Sequence, residues 1–535
     1  MNFNKDQQYA IDQIVNLNHP FISVLSGCAG SGKTTLCKYI SDTISARSLS
    51  VMGVAPTHKA KKVLSFHLNN KSFMKISCMT VAALLNKTRQ HSYIGTKRFR
   101  GTGSKINKCD FFIIDEASMV CDDDSDEIIK YAKMHNKSVL FVGDCYQIPN
   151  PSQILQENQD GSFSKADSQV FLLKNHFSLN TIMRQTNYNP LIDIYDYIRS
   201  NIYKSLDIPR KNNVLEDGSG IIFTTEQDQF EEFIKNAFTS LSSLLHETRI
   251  VCYTNECVRY YNKLVRKMCN KRKKFEIGWL LMGYENTGYP EPFISNGQDY
   301  YIMNTLHTTT HAIHYFTNLV GDFVTLKEVE EDTQITIFFI EVSNVCNYEL
   351  MSELTKRAIK VNSRNSTIED FKQYVSLKNL VFFTETIYRL DNGDILTESQ
   401  IQESHPLLAH STVDVINENF TLKKNKLIEK IQTKYPFLLQ NRLDDRKIIS
   451  REEKLYDKYQ IVSKDLDDGI AITAHKSQGS TYNTVFIDEE DFEKVVDVWD
   501  YKNEILEKRT KEKNQLLYVS YTRPRKSAYV LYTEK

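Results

Sequence analysis

One strand–loop–helix transition near the N-terminus constrains this chain more than any other feature. Phe21-Ile22-Ser23-Val24-Leu25 is a short apolar run, Gly27-Cys28-Ala29-Gly30-Ser31-Gly32-Lys33-Thr34 follows, and Thr35-Leu36-Cys37-Lys38-Tyr39-Ile40 reads as the first turns of a helix. The middle segment fits G-x-x-x-x-G-K-[ST]. Its glycines let backbone N–H groups turn inward around phosphate oxygens, and the helix N-terminus adds partial positive charge at the same point. The pattern predicts a nucleoside triphosphate site. In it Gly30, Ser31, Gly32 and Thr35 surround the phosphates, Lys33 reaches the β- and γ-phosphates, and the Thr34 hydroxyl ligates Mg²⁺.

A second half of such a site comes at Phe111-Phe112-Ile113-Ile114-Asp115-Glu116. Four apolar residues suit a strand buried on both faces of a parallel sheet. The two carboxylates then fall at its C-terminal end, where α/β sheets place ligands. Asp115 is suited to hold Mg²⁺ and Glu116 to polarise an attacking water. Standing alone, Asp-Glu after a strand could equally be an acidic helix start; the upstream loop favours the hydrolytic pair. Asp122-Asp123-Asp124 is read as such a helix start.

Length and composition narrow the rest. A chain of 535 residues suggests three or four domains, and 41% hydrophobic with 25% charged residues is ordinary for a globular protein. Net charge is zero, so a nucleic-acid partner would need a local basic groove. The ten cysteines show no C-x-x-C and no histidine at metal spacing, which reads as reduced thiols rather than a zinc site. No apolar run approaches a membrane span and the N-terminus lacks a signal-peptide pattern. The expectation is a cytoplasmic protein without membrane contact.

Residues 1 to about 175 alternate helix and strand, with strands expected at 21–25, 51–55, 111–115 and 138–142. The stretch 86–108 is rich in Lys, Arg, Gly and Ser, and is either a loop or a small hairpin subdomain. A second α/β region begins near 176. Its sheet is expected to join 249–253 to the downstream runs 469–473, 484–488 and 516–520. Between them, 296–455 alternates strand-like runs (Phe323–Lys327, Gln334–Val342, Val381–Tyr388) with charged turns, and helices are expected around 350–376 and 415–440. Residues 490–513 read as a charged helical excursion with a solvated face. The basic stretch 259–274 either lines a nucleic-acid path or is a basic helix face.

A series of further segments, in order along the chain, resembles the superfamily 1 helicases, in particular their RecD-like and Dda-like 5′-to-3′ branch. Phe3-Asn4-Lys5-Asp6-Gln7 resembles the adenine-reading segment, with Gln7 as reader. Ala55-Pro56-Thr57-His58-Lys59-Ala60 and Thr80-Val81-Ala82-Ala83-Leu84-Leu85 are similar to two DNA-contacting motifs, the second with Ala82 where a His is usual. Val142-Gly143-Asp144-Cys145-Tyr146-Gln147-Ile148-Pro149 looks like the segment whose glutamine senses the γ-phosphate, and Met183-Arg184-Gln185 like one supplying a phosphate-binding arginine. Ala471-Ile472-Thr473-Ala474-His475-Lys476-Ser477-Gln478-Gly479-Ser480-Thr481 and Leu517-Tyr518-Val519-Ser520-Tyr521-Thr522-Arg523 resemble the last two motifs.

The resemblance implies an α/β protein with two RecA-like P-loop motor domains, 1–85 with 109–175 and 176–295 with 456–535. It also implies a hairpin (pin) insert at 86–108 and an SH3-like β-barrel insert at 296–455, entered at Asn296-Gly297-Gln298. It implies ATP and Mg²⁺ as cofactors and an ATP-dependent helicase on single-stranded and forked DNA, acting as a monomer. The alternatives are a translocase or remodeller without strong unwinding, an RNA-directed motor, a motor subunit of a nuclease or replication complex, or a small-molecule kinase. Lys33, Asp115, Glu116, Gln147, Arg184 and Arg523 would act on ATP, with Gln7 and Gly479 beside it. Arg184 and Arg523 would reach Lys33's nucleotide from the opposite domain, so that hydrolysis opens and closes the cleft. Pro56, Thr57, Lys59, Thr80, Asn255, Thr473, His475 and Lys476 would contact DNA from loops after strands. Tyr93 or Phe99 would stack on the junction base pair, or both simply pin a hairpin. The likeness further suggests phage replication or recombination in a bacterial host cytosol, and docking of a single-strand-binding or replisome protein on the 296–455 insert.

Overall fold

The computed structural model describes residues 3–70, 75–90, 98–101, 105–150, 155–158, 160–181, 189–239, 245–287, 292–310, 319–330, 333–340, 387–389, 395–397, 461–462, 466–500 and 505–534. Among them no helix is long and apolar enough to cross a membrane.

The first sheet has six strands in the order His176–Leu179, Ile22–Gly27, Ser138–Gly143, Phe111–Ile114, Val51–Ala55, Ser77–Thr80, every pair parallel. Phe111–Ile114 shows why its run carries no polar residue. Phe111 and Ile113 pack into a core with Ile11, Leu36, Ile40 and Leu64, while Phe112 and Ile114 pack into another with Ile128 and Ala132 on the opposite face. Both faces of such a strand are dry, so alternation disappears. The order sets the carboxyl ends of Ile22–Gly27, Ser138–Gly143 and Phe111–Ile114 side by side. The sheet runs past the expected boundary at 175, because His176–Leu179 forms its edge.

The second sheet runs Asn213–Val214, Gly220–Thr224, Pro524–Leu531, Tyr482–Asp488, Thr248–Cys252, Ala471–Thr473; all pairs are parallel except the first, which is antiparallel. Here one expectation fails. Leu516–Ser520 is not a strand but part of the helix Thr510–Tyr521, whose residues from Asn514 to Tyr521 are all buried. A helix enclosed on all sides carries a continuous apolar run just as a central strand does, and periodicity does not separate them. The strand comes one turn later, at Pro524–Leu531.

A third sheet is ordered Ile461–Val462, Gln334–Ile340, Leu319–Glu328, Asp299–Thr310, Leu280–Gly283, Leu466–Asp468, antiparallel except for its first pair. It takes one strand from before residue 296 and two from after 455, so the insert shares its root with the second unit. Arg249, fully buried on the second sheet, ion-pairs with Asp299 at 2.5 Å. Arg266 pairs with Asp468 and lies 5.0 Å over Trp279. The basic helix Asn255–Met268 thus spends one of its charges on structure. Of the expected Val381–Tyr388 strand, Ile387–Arg389 is described, paired with Ile395–Thr397; the helices expected at 350–376 and 415–440 lie outside the described residues.

Residues 490–513 are not a solvated helix. After the short helix Glu489–Phe492 come strands Val498–Asp500 and Ile505–Glu507, and the latter joins Phe163–Lys165 of the first unit in a four-stranded sheet. The charges there are partnered across the two units, Lys511 with Asp167 at 2.7 Å and Lys165 with Glu512 at 3.4 Å. Within 86–108 the hairpin alternative holds: Lys87–Gln90 pairs antiparallel with Arg98–Gly101. Phe99 stands opposite Arg89 on that hairpin, and Tyr93 lies outside the described residues.

Candidate nucleotide and nucleic-acid site

The loop after Ile22–Gly27 turns because two of its glycines, Gly30 (φ 82°) and Gly32 (φ 86°), adopt left-handed backbone. Helix Lys33–Ala46 then starts with its N-terminus facing the loop. Lys33 Nζ donates to the carbonyls of Gly27 (2.6 Å) and Cys28 (3.0 Å), across the loop mouth. The Ser31 hydroxyl is buried and without a hydrogen-bond partner. Gln7, 4% exposed, donates from Nε2 to the Ser31 carbonyl at 2.9 Å and accepts from Asn4 N–H in a capping box. The N-terminal helix is therefore bolted to the loop through one amide.

Asp115 and Glu116 leave the strand Phe111–Ile114 beside this loop. Asp115 Oδ1 accepts from Glu116 N–H at 2.9 Å, and Glu116 itself sits in left-handed backbone (φ 52°), an uncommon conformation for a non-glycine. Burial pushes the Asp115 carboxyl up. Burial and the Asp115 carboxylate push Glu116 up to about 7, against the pull of Lys33 and Arg523. A carboxyl there is poised near neutrality, as a general base needs.

The second unit closes the site. Gly479 (φ 78°) brings its backbone so near Glu116 that a Cβ would lie 3.4 Å from Oε1. Gln478 Nε2 reaches Gln147 Oε1 at 3.3 Å. Arg523, 3% exposed, hangs from its own unit by Nε to Val519 O (2.8 Å) and Nη1 to Ser480 O (2.8 Å). One cleft of about 1310 Å³ is lined by Lys33, Thr34, Thr35, Asp115, Glu116 and Gln147 of the first unit and by Gly479 and Arg523 of the second. Arg184 lies outside the described residues. Among those described, no group of three or more His, Cys, Asp or Glu side chains is arranged for a metal.

The residues expected to meet DNA form a repeated local motif. Thr80 and Thr473 end strands and Thr57 follows one by two residues; each N-caps the next helix, its hydroxyl oxygen accepting from the N–H three residues on. Thr254 also N-caps a helix in the second unit and was not singled out from sequence; the signal was a threonine two residues past an apolar strand. Its loop is clamped by the buried Asp491, which accepts from Tyr253 N–H and Thr254 N–H. The four caps lie at the ends of the edge strand and its neighbour in each sheet. The oxygen serves the cap, which leaves the hydroxyl protons of Thr57, Thr80 and Thr473 to donate, whereas Thr254 gives its proton to Asp491 at 2.8 Å. Asn255 and His475 are exposed and Pro56 half-buried. Lys59 and Lys476 differ from expectation. They converge from the two units on one turn of the third sheet, Lys59 on Gly297 O (2.6 Å) and Lys476 on Asn296 Oδ1 (2.9 Å). Lys476 also lies 4.0 Å over the Tyr284 ring, and burial together with Lys59 pushes its ammonium down to about 8.

Residues 2–201 match a family described as an AAA domain. Across 533 residues the chain is 23% identical to an uncharacterized protein of Acanthamoeba polyphaga mimivirus, covering 91% of this chain and 94% of that one. It is 27% identical over 300 residues to the ATP-dependent DNA helicase dda of Enterobacteria phage T4, covering 54% of this chain and 63% of that one. Among solved structures, Pif1 helicase from Candida albicans aligns with 100% of this chain and 95% of its own at 12% identity and TM-score 0.46. Pif1 helicase from Bacteroides in complex with ADP-AlF3 and ssDNA aligns with 99% and 92% at 15% identity and TM-score 0.44.

Proposed function

We propose that this chain is a superfamily 1 helicase of the Dda-like kind, an ATP-driven motor that moves 5′-to-3′ along single-stranded DNA and unwinds the duplex ahead. The observation that carries the reading is that Arg523, from the far end of the chain, lines the same cleft as Lys33. A pocket shared by two sheets turns a change at the nucleotide into a change in the gap between them.

The chain's own groups divide the work. Gln7 would read the base from its place against the loop. Gly30, Ser31, Gly32 and Thr35 would surround the phosphates, and the partnerless Ser31 hydroxyl fits an anion there. Lys33 would exchange its two loop carbonyls for β- and γ-phosphate oxygens. Thr34 and Asp115 would hold Mg²⁺, which would supply charge to offset the phosphates. Glu116 would take a proton from the attacking water, and Gln147 would orient that water. Arg523, with Arg184, would stabilise charge spreading over the γ-phosphate, a contribution worth about 10³–10⁵ in rate.

On the other side, Thr57, Thr80 and Thr473 would donate to backbone phosphates, while Thr254, bonded to Asp491, would hold its loop in place. Pro56, Asn255, His475, Lys59 and Lys476 would flank them, the two lysines leaving the Asn296–Gly297 turn when DNA arrives. Such contacts ignore base identity, as a translocating enzyme requires. The hairpin Lys87–Gln90/Arg98–Gly101 would split the junction through Phe99 or Tyr93, and the third sheet would serve as an SH3-like insert able to dock a single-strand-binding protein.

The test is ATP hydrolysis with and without single-stranded DNA or RNA, followed by unwinding of duplexes carrying a 5′ or a 3′ tail. Strong stimulation by DNA and unwinding only from the 5′ tail are expected. Stimulation by RNA alone would move the substrate, and stimulation without unwinding would favour the remodeller. Indifference to both polymers would overturn the motor reading.

A further inference from the structure

Arg523 makes its described hydrogen bonds within its own unit: to Val519, Ser477 and Ser480 carbonyls and to Thr522 Oγ1. Its position relative to Lys33 is therefore set by whatever fastens its helix to the first unit. Near its start, helix Thr510–Tyr521 is held by the Lys511–Asp167 and Glu512–Lys165 pairs, and closer to Arg523 by two further side chains. Gln515 and Tyr518 stand three residues apart, on one face. Gln515 Nε2 donates to the Gln147 carbonyl at 3.1 Å. Tyr518 OH donates to Asp144 Oδ2 at 2.8 Å, with both residues no more than 2% exposed. The other Asp144 oxygen accepts from Tyr146 N–H at 3.1 Å, so the carboxylate also shapes the loop that carries Gln147. Burial and the Asp144 carboxylate hold the Tyr518 phenol well above its usual range, and it remains a donor.

We propose that Tyr518 is a positioning residue for hydrolysis: its hydroxyl, bonded to Asp144, registers the Arg523-bearing helix on the Gln147 loop, so that the two groups meet the γ-phosphate together. The proposal rests on the motor reading for the roles of Gln147 and Arg523. A charge-assisted bond in a dry seam is short and directional, which suits it to fixing a register. It does not touch nucleotide, so its loss should leave binding alone and slow turnover.

The test is Tyr518→Phe, which deletes one oxygen and keeps the ring. Misplacement by about 1 Å can cost about 10²-fold in rate. The expected result is a fall in kcat of about ten- to a hundredfold, with KM for ATP and affinity for single-stranded DNA within about twofold of wild type. Combining it with Arg523→Ala should cost no more than Arg523→Ala alone, because both act on one contact. An unchanged kcat, a raised KM with kcat preserved, or additive losses would overturn the proposal. If Tyr518→Phe does not fold, Asp144→Ala removes the acceptor of the same bond, and must reproduce the kcat loss and the non-additivity with Arg523→Ala. Absence of DNA stimulation in the wild type would sink the motor reading instead; the same cycle read on unstimulated turnover would still decide the part played by Tyr518.

Discussion

Single atoms carry much of this account. Lys33 bridges two loop carbonyls through an ammonium that no neutral side chain can imitate. Lys33→Ala should lower ATP turnover by at least about 10³-fold while affinity for single-stranded DNA, measured by fluorescence anisotropy, stays within about threefold. Gly32 is constrained twice, by its left-handed backbone and by Gln7 Nε2, which a Cβ would meet at 2.7 Å. Lys476 offers a test by pH. Its folded-state value, about 8, lies below that of a free lysine, so the folded chain loses this proton first as pH rises. The groups facing it are Lys59, Glu285 and the Tyr284 ring. DNA affinity should weaken between about pH 7 and 9 as the charge disappears, and Lys476→Arg, which stays charged, should flatten that dependence. An identical decline in wild type and Lys476→Arg would remove Lys476 from the DNA path. The lowered value also means that deprotonation above about pH 8 favours the folded state, the reverse of a lysine gaining a carboxylate.

At the scale of elements, the most exposed structural commitment is the root of the third sheet. Arg249 is fully buried and its ion-pair partner is Asp299. Asp299→Ala would leave a charge in the interior, which costs about 3–5 kcal/mol. Chemical denaturation should register a loss of that order, and a loss under about 1 kcal/mol would mean water reaches the guanidinium. The elements also divide by how readable they were. The phosphate loop and the strand Phe111–Ile114 were legible because their chemistry is local: glycines at a turn, carboxylates at a strand end. Leu516–Ser520 was misread because burial on all sides erases periodicity. Residues 490–513 were misread because their charges, which look solvent-facing in one dimension, find partners some 350 positions away, as in Lys165–Glu512. Lys59 and Lys476 looked like free phosphate ligands for the same reason; their turn at Asn296–Gly297 is invisible from either neighbourhood.

For the whole molecule, the central claim is that two units share one nucleotide. The seam between them is rich in polar contacts (Gln478 with Gln147, Gln515 with the Gln147 carbonyl, Tyr518 with Asp144), and a small sheet joins Glu507 to Phe163 beside it. Ile148 of the Gln147 loop adds one apolar anchor in the second unit's core, and a seam held mainly by hydrogen bonds suits a cycle of closure and release. Whether chemistry uses both units is decided most directly by Arg523→Ala, assayed for ATP turnover on saturating single-stranded DNA alongside equilibrium binding of ATP. The account predicts turnover lowered by about 10³-fold or more with ATP still bound. Turnover close to wild type would contradict it, leaving a nucleotide hydrolase whose second unit takes no part in the reaction.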